Sequence, residues 1–418
     1  MIAVPFVYFS LLLIYIIFKK GYDLSAYLVT IYVIISFFGI LIDINDLRSF
    51  DTKYYDISID GSFFYCLLLT LCFIPFYRIN FNKIDSIKLV SPKIFNFIVY
   101  IFFLSFLLLT ISSFGSIINI LNGDLGELRN MMARGEYELG SSTLGSISIL
   151  VNIISMYSLI MLLFYFYSIC FLKRSRLFNI IILISSLAII IIGILGVDRS
   201  KTFYWIITYG AMLVLFWRYM NDMQKSQIKK VSIIICSLLL TYFMAMTISR
   251  FGERDTGTEG GIIYYAGQSY LNFCMFYDNV NYPEFSLQRI FPLFYNMFVD
   301  NGIRNAHDLN SDIYNKSGVF VGVFATFLGD IMVSSGIIAT IIYSVVYNLL
   351  STNVLNFRKK NIYFHDLVFL FVLLLVPLLG LFSHFYNNYH RTAVALIFVV
   401  YALHMKAVKI KASGNIIN

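Results

Sequence analysis

Charge is what this sequence has least of. Only 13% of its 418 residues are Asp, Glu, Lys or Arg, and 59% are hydrophobic. A soluble domain carries about 25% charge, so this scarcity excludes an ordinary water-soluble fold and points to an integral membrane protein. Cysteine is sparse as well. Cys66, Cys72, Cys170 and Cys236 fall in apolar runs and Cys274 in a loop, which excludes a disulfide framework and zinc-ligand spacing. No GxxxxGK[ST] or GxGxxG is present to cradle nucleotide phosphates. Asp-x-Asp is also absent, and Glu253-Arg-Asp255 is the nearest thing to an acidic ligand pair in a loop.

What fills the sequence is apolar run after apolar run. Eleven stretches are candidates to cross a hydrocarbon core of roughly 30 Å as helices of about 20 residues. They lie near 2–18, 24–42, 61–77, 94–114, 145–172, 177–197, 202–217, 231–248, 322–350, 363–383 and 392–405. The expected fold is therefore all-α, a polytopic membrane helix bundle. Eight spans occupy 1–248, a large loop 249–321, and three spans with a tail 322–418. The first run has no basic residue before it and Lys19-Lys20 after it. That is the reverse of a cleavable signal peptide, so it reads as a retained span.

A net charge of +8 suggests nucleic acid until its distribution is considered. Six loops on one side of the bundle hold Lys19-Lys20, Arg78 to Lys93, Lys173 to Arg176, Arg218 to Lys230, Arg358-Lys359-Lys360 and Lys406 to Lys411. Only four acids accompany them, Asp23, Asp85, Asp222 and Asp366. By the positive-inside rule these loops are cytoplasmic, which places the N-terminus outside and the C-terminus inside. The basic excess is a topology signal, and no nucleic-acid partner is expected.

The opposite loops carry the candidate chemistry. The second, Asn122 to Glu138, has Glu127, Leu128, Met131 and Met132 at helical spacing and presents Arg129. The tight hairpin Gly196-Val-Asp-Arg-Ser-Lys-Thr202 puts Asp198, Arg199 and Lys201 beside apolar helix. Arg199 there either pairs with Asp198 or faces lipid phosphate. The large loop holds Arg250, Arg254, Arg289, Arg304 and His307, and its segments 262–277 and 285–299 read as in-plane or re-entrant helices. Asp330 lies roughly two turns into the next span, and intramembrane acids are functional candidates. The turn Ser383-His-Phe-Tyr-Asn-Asn-Tyr-His-Arg391 adds Arg391 and two more histidines.

Arginine binds phosphate oxygens bidentately, so such a cluster suits a lipid pyrophosphate. With no nucleotide cradle, energy has to come from a pre-activated, lipid-linked substrate. The leaving group of a pyrophosphate-linked sugar needs charge stabilisation more than covalent help. His307 is the candidate to deprotonate an acceptor hydroxyl near neutral pH.

The many-span layout, the Asp198-Arg199-Ser200 hairpin, the single large late loop and the helix Phe324-Ala-Thr-Phe-Leu-Gly-Asp330…Gly336 resemble O-antigen polymerases of the Wzy type, which belong with the O-antigen ligases. An Arg-x10-Gly pattern of some such polymerases occurs as Arg129…Gly140 and Arg250…Gly261. The ligases' His-Asn motif has His307-Asp308 in its place. The resemblance implies an inverting, metal-independent glycosyltransferase of the bacterial inner membrane with no cofactor. It would move a growing chain from undecaprenyl pyrophosphate onto the next lipid-linked repeat unit. Its partners would be that lipid-linked oligosaccharide, membrane lipid and a chain-length regulator protein. The site residues it implies are His307, Arg304 and Asp330 for catalysis, with Arg129, Arg199, Arg250, Arg254, Arg289 and Arg391 on the pyrophosphate. A flippase of lipid-linked oligosaccharide and a metal-dependent polyprenyl-phosphate-sugar transferase are the alternative readings.

Overall fold

The apolar runs fold as helices. A computed structural model describes residues 2–47, 57–123, 127–128, 131, 147–251, 257–280, 286–299, 306–355, 357 and 361–414. In chain order the helices are α1 (Val4–Lys20), α2 (Leu24–Ile44), α3 (Ile59–Arg78), α4 (Pro92–Asn122), α5 (Ile147–Ser155), α6 (Ile160–Tyr167), α7 (Arg176–Ser185), α8 (Ala188–Leu195), α9 (Ser200–Phe216), α10 (Asp222–Phe251), α11 (Gly257–Asn279), α12 (Pro292–Phe298), α13 (Ala306–Ser317), α14 (Thr326–Val354), α15 (Phe364–Leu379) and α16 (Tyr389–Gly414). Seven helical stretches among the described residues are long and apolar enough to cross a membrane. The bent pair Ile147–Ser155 and Ile160–Leu172, angled at 61°, makes up to eight. Of the other expected spans, α1 and α9 have 17 residues each and α15 has 16.

The chain divides into two compact units. The first contains 1–85, 259–360 and 372–392, and the second 86–258, 361–371 and 393–418. In the first unit α1 packs on α2 and α3, and α14 lies along α3. Buried rings lock these helices together: Phe9, Tyr32, Tyr65 and Phe73, with Tyr65 meeting Phe273 of α11 at 5.0 Å. Pro377 inside α15 lacks the N–H that would bond the carbonyl four residues earlier. That carbonyl, on Leu373, accepts instead from the Tyr347 hydroxyl at 2.8 Å. Re-satisfying a freed carbonyl from a neighbouring helix is what lets proline persist in an apolar helix.

Residues 262–277, expected as an in-plane or re-entrant helix, are helical. They belong to the 23-residue helix α11, which is buried throughout 267–276. The reason is a glycine crossing. A Cβ on Gly267 would stand 2.4 Å from the Gly39 nitrogen, and one on Gly39 would stand 2.9 Å from the Tyr270 ring. Small residues let two backbones approach closely. The polar side chains that weakened the apolar signal are used internally, Asn272 Nδ2 donating to the Phe324 carbonyl at 2.8 Å. Of the second segment's described residues, 286–299, only Pro292–Phe298 is α-helical.

In the second unit α4 packs against α5, α7 and α8, with Leu109, Val151, Ala188 and Ile191 at the contact. The bends at 156–159 and 186–187 satisfy each other. Ser158 Oγ donates to the Ser186 carbonyl and accepts from the Ile189 N–H at 3.0 Å. Among the described residues one parallel pairing, β1 (Ser86–Lys88) with β2 (Asn361–Tyr363), is the exception to an all-α unit. Its central Ile87 and Ile362 are both buried.

Candidate functional site

The site begins with a distortion at the start of α14. Thr326 has φ +66°, a left-handed conformation unusual for a β-branched residue and costing about 1–3 kcal/mol. Backbone pairing on either side holds it there. The Ala325 N–H donates to the Phe382 carbonyl at 3.2 Å, and the Phe327 N–H to the Gly380 carbonyl at 2.8 Å. Gly380 permits the approach, because a Cβ there would stand 2.6 Å from the Phe327 ring.

One turn further on, Asp330 is 1% exposed. Its Oδ1 accepts from Arg289 Nε at 2.8 Å and its Oδ2 from the His384 backbone N–H at 2.6 Å. Arg289 also donates Nη1 to Asn310 Oδ1 on α13 and Nη2 to the Val321 carbonyl at 2.9 Å. Three of its five donors thus join four stretches of chain. The stretch bearing Arg289 is itself stitched to α14. The Ser286 N–H donates to the Ser334 carbonyl at 3.1 Å, and the Ser334 and Ser335 hydroxyls donate to the Ser286 carbonyl. This is possible because α14 is broken at Gly336, where φ is +83° and ψ 176°. Only glycine takes such a backbone without strain.

Beside the Arg289–Asp330 pair lies a cleft of about 280 Å³. Gln288, Asn310, Phe324, Ser383, Asn387 and Tyr389 contribute to its lining. Behind it, His384 is fully buried, its Nε2 3.0 Å from the Tyr343 hydroxyl and its ring edge-to-face with Phe291. Burial pushes its imidazole down to about 3, so it is neutral at physiological pH.

The structure brings together two residues singled out in the sequence, Arg289 and Asp330. Asp330 has both oxygens engaged and is almost inaccessible, which fits a positioning residue better than a reacting one. Arg289 faces a carboxylate at 2.8 Å, so its charge is already matched. Arg391 is 4% exposed and held on its own turn, Nη1 donating to the Phe385 carbonyl at 3.3 Å with the guanidinium 4.9 Å from the Phe385 ring. Arg199 belongs to the second unit and is 3% exposed, with Nη1 donating to Thr247 Oγ1 at 2.8 Å. Its neighbour Asp198 meets Lys201 at 2.9 Å. Burial raises the Asp198 carboxyl, but the Lys201 ammonium and the Ser200 hydroxyl and amide outweigh it and hold it below the usual range.

His307 lies in the first turn of α13 and Arg250 in the last turn of α10, and their side chains lie outside the described residues. Arg129, Arg254 and Arg304 lie outside them entirely, as do Glu253 and Asp255. Among the described residues no group of three His, Cys, Asp or Glu side chains is placed to hold a metal ion. Sequence reasoning passed over Asn310 as a site residue, and it met His384 and Asn387 only within the last polar turn. The last two sit in a polar turn between apolar helices, and that contrast was their one available signal. No protein-family model, curated protein or solved structure matches this chain.

Proposed function

We propose that this chain polymerises lipid-linked oligosaccharide repeat units by glycosyl transfer, as an inner-membrane protein of about eleven spans with its N-terminus outside. The observation that carries the reading is the cleft around Arg289, Asp330 and Asn310, a polar, amide-lined and partly aromatic recess in an otherwise apolar helical protein. It lies at the end of α14 opposite the basic run Arg358-Lys359-Lys360, which by the positive-inside rule is the non-cytoplasmic end.

In the proposed reaction an acceptor hydroxyl oxygen forms a bond to the anomeric carbon of the donor. The bond from that carbon to the carrier phosphate breaks, and the lipid pyrophosphate leaves with the electron pair. The hydroxyl proton passes to a base, for which His307 is the candidate, and Arg304, three residues before it, is the candidate for the leaving-group charge. Undecaprenyl-pyrophosphate-linked oligosaccharide is the proposed substrate, and a chain-length regulator the proposed partner.

The test is the surface-glycan profile of a deletion strain. Loss of long chains with single capped repeat units retained is the expected result. Loss of every surface glycan would replace the polymerase with a flippase of lipid-linked oligosaccharide.

A further inference from the structure

We propose that the cleft beside Arg289 is a subsite for an uncharged sugar ring, and that it is not the pyrophosphate site. The argument starts from charge. Among the described residues, Arg289 and Asp330 are the charged side chains in the lining, and they neutralise each other at 2.8 Å with side chains 13% and 1% exposed. A phosphate or uronate entering here would have to take the guanidinium away from Asp330. It would also bring a second negative charge within a few ångströms of a buried carboxylate that cannot be rehydrated, a repulsion that low dielectric magnifies.

The remaining lining suits hydroxyl groups. Gln288, Asn310 and Asn387 are amides that both donate and accept, and Ser383 and Tyr389 add hydroxyls. Phe324 supplies an apolar ring against which the C–H face of a sugar packs. It is fixed by edge-to-face contacts with Tyr265 and Phe382, both at 5.1 Å between centroids, and its carbonyl is held by Asn272. At about 280 Å³ the space falls just below the roughly 300–1,000 Å³ of sites for drug-sized ligands, which suits one ring and excludes a chain. The pair itself then has a role. It fixes Asn310 and the 383–387 turn in place, so the amides converge without a net charge among them.

This inference rests on the glycosyl-transfer reading only for the source of the sugar. Its test is direct binding to the purified full-length chain in nanodiscs, followed by saturation-transfer NMR. The probes are free glucose, galactose and N-acetylglucosamine, with glucuronate and inorganic pyrophosphate as charged controls. At least one neutral sugar is expected to bind, with affinity lowered about fivefold or more by Asn387→Ala, the loss of one hydrogen bond. Phe324→Leu should weaken it similarly at unchanged melting temperature, and pyrophosphate should not displace it. Displacement by pyrophosphate, binding by none of the neutral sugars, or binding indifferent to both substitutions overturns the proposal. Sugar binding with an unchanged glycan profile on deletion would remove the polymerase reading and leave this one standing. A polymerase-type profile without sugar binding would do the reverse.

Discussion

Asp330 in the first unit and Asp198 in the second each meet a cation near the start of a helix, and they illustrate two ways of keeping a carboxylate. Asp198 is 29% exposed at its side chain and pairs three residues along with Lys201, while its Oδ1 accepts from the Ser200 N–H. Both of these contacts lie within its own hairpin. Asp330 is 1% exposed and its partner is 41 positions away, with a second donor 54 away. A local, half-wet pair shapes one turn. A buried, distant pair fastens separate stretches of chain to one another, and it becomes a liability if either half is removed.

Three measurements bear on that contrast, the largest effect first. Asp330→Ala strands a buried guanidinium and should cost about 3–5 kcal/mol, read as a lowered melting temperature in detergent. Replacing both partners, Arg289→Met with Asp330→Leu, should recover most of that stability while abolishing activity. If the double variant is as unstable as the single, packing and not the uncompensated charge explains the loss.

The second concerns the His384 turn that Asp330 holds. Its imidazole titrates near 3 folded, pushed there by burial, and near 6.5 unfolded. The unfolded chain therefore binds the extra proton first. Stability should be full above pH 6.5 and fall towards pH 3 by up to about 1.4 kcal/mol per unit. His384→Asn should flatten that slope, and equal slopes in the two proteins would remove His384 from the account. The smallest effect is expected at the hairpin, where Asp198→Asn should cost about 0–1 kcal/mol. A loss as large as that of Asp330→Ala would erase the distinction between the two acids.

How far the sequence could be read depended on the range of the interaction. The helices were legible because an apolar run reports its own surroundings, and Asp330 stood out because an acid in such a run is costly. Its partner was not legible. Arg289 is one of several arginines in a polar loop, and nothing local separates it from Arg304. The burial of α11 was not legible for a related reason. Gln268 and Asn272 lower its apolar character, and the crossing of Gly267 with Gly39 that buries them depends on residues more than 200 positions apart. Asp198 was flagged beside Arg199, yet its cation is Lys201, because helical geometry places the third residue on, not the next one, against the carboxylate.

The break at Gly336 has a bearing on depth. The part of α14 beyond it, 337–354, reaches roughly 27 Å at about 1.5 Å per residue, close to the ~30 Å thickness of a hydrocarbon core. A full crossing can therefore be completed without the ten residues that carry Asp330. On the proposed membrane reading those residues are free to lie outside the lipid tails, at headgroup level. Glycine at this one position separates the length needed to span a bilayer from the length needed to build a cleft.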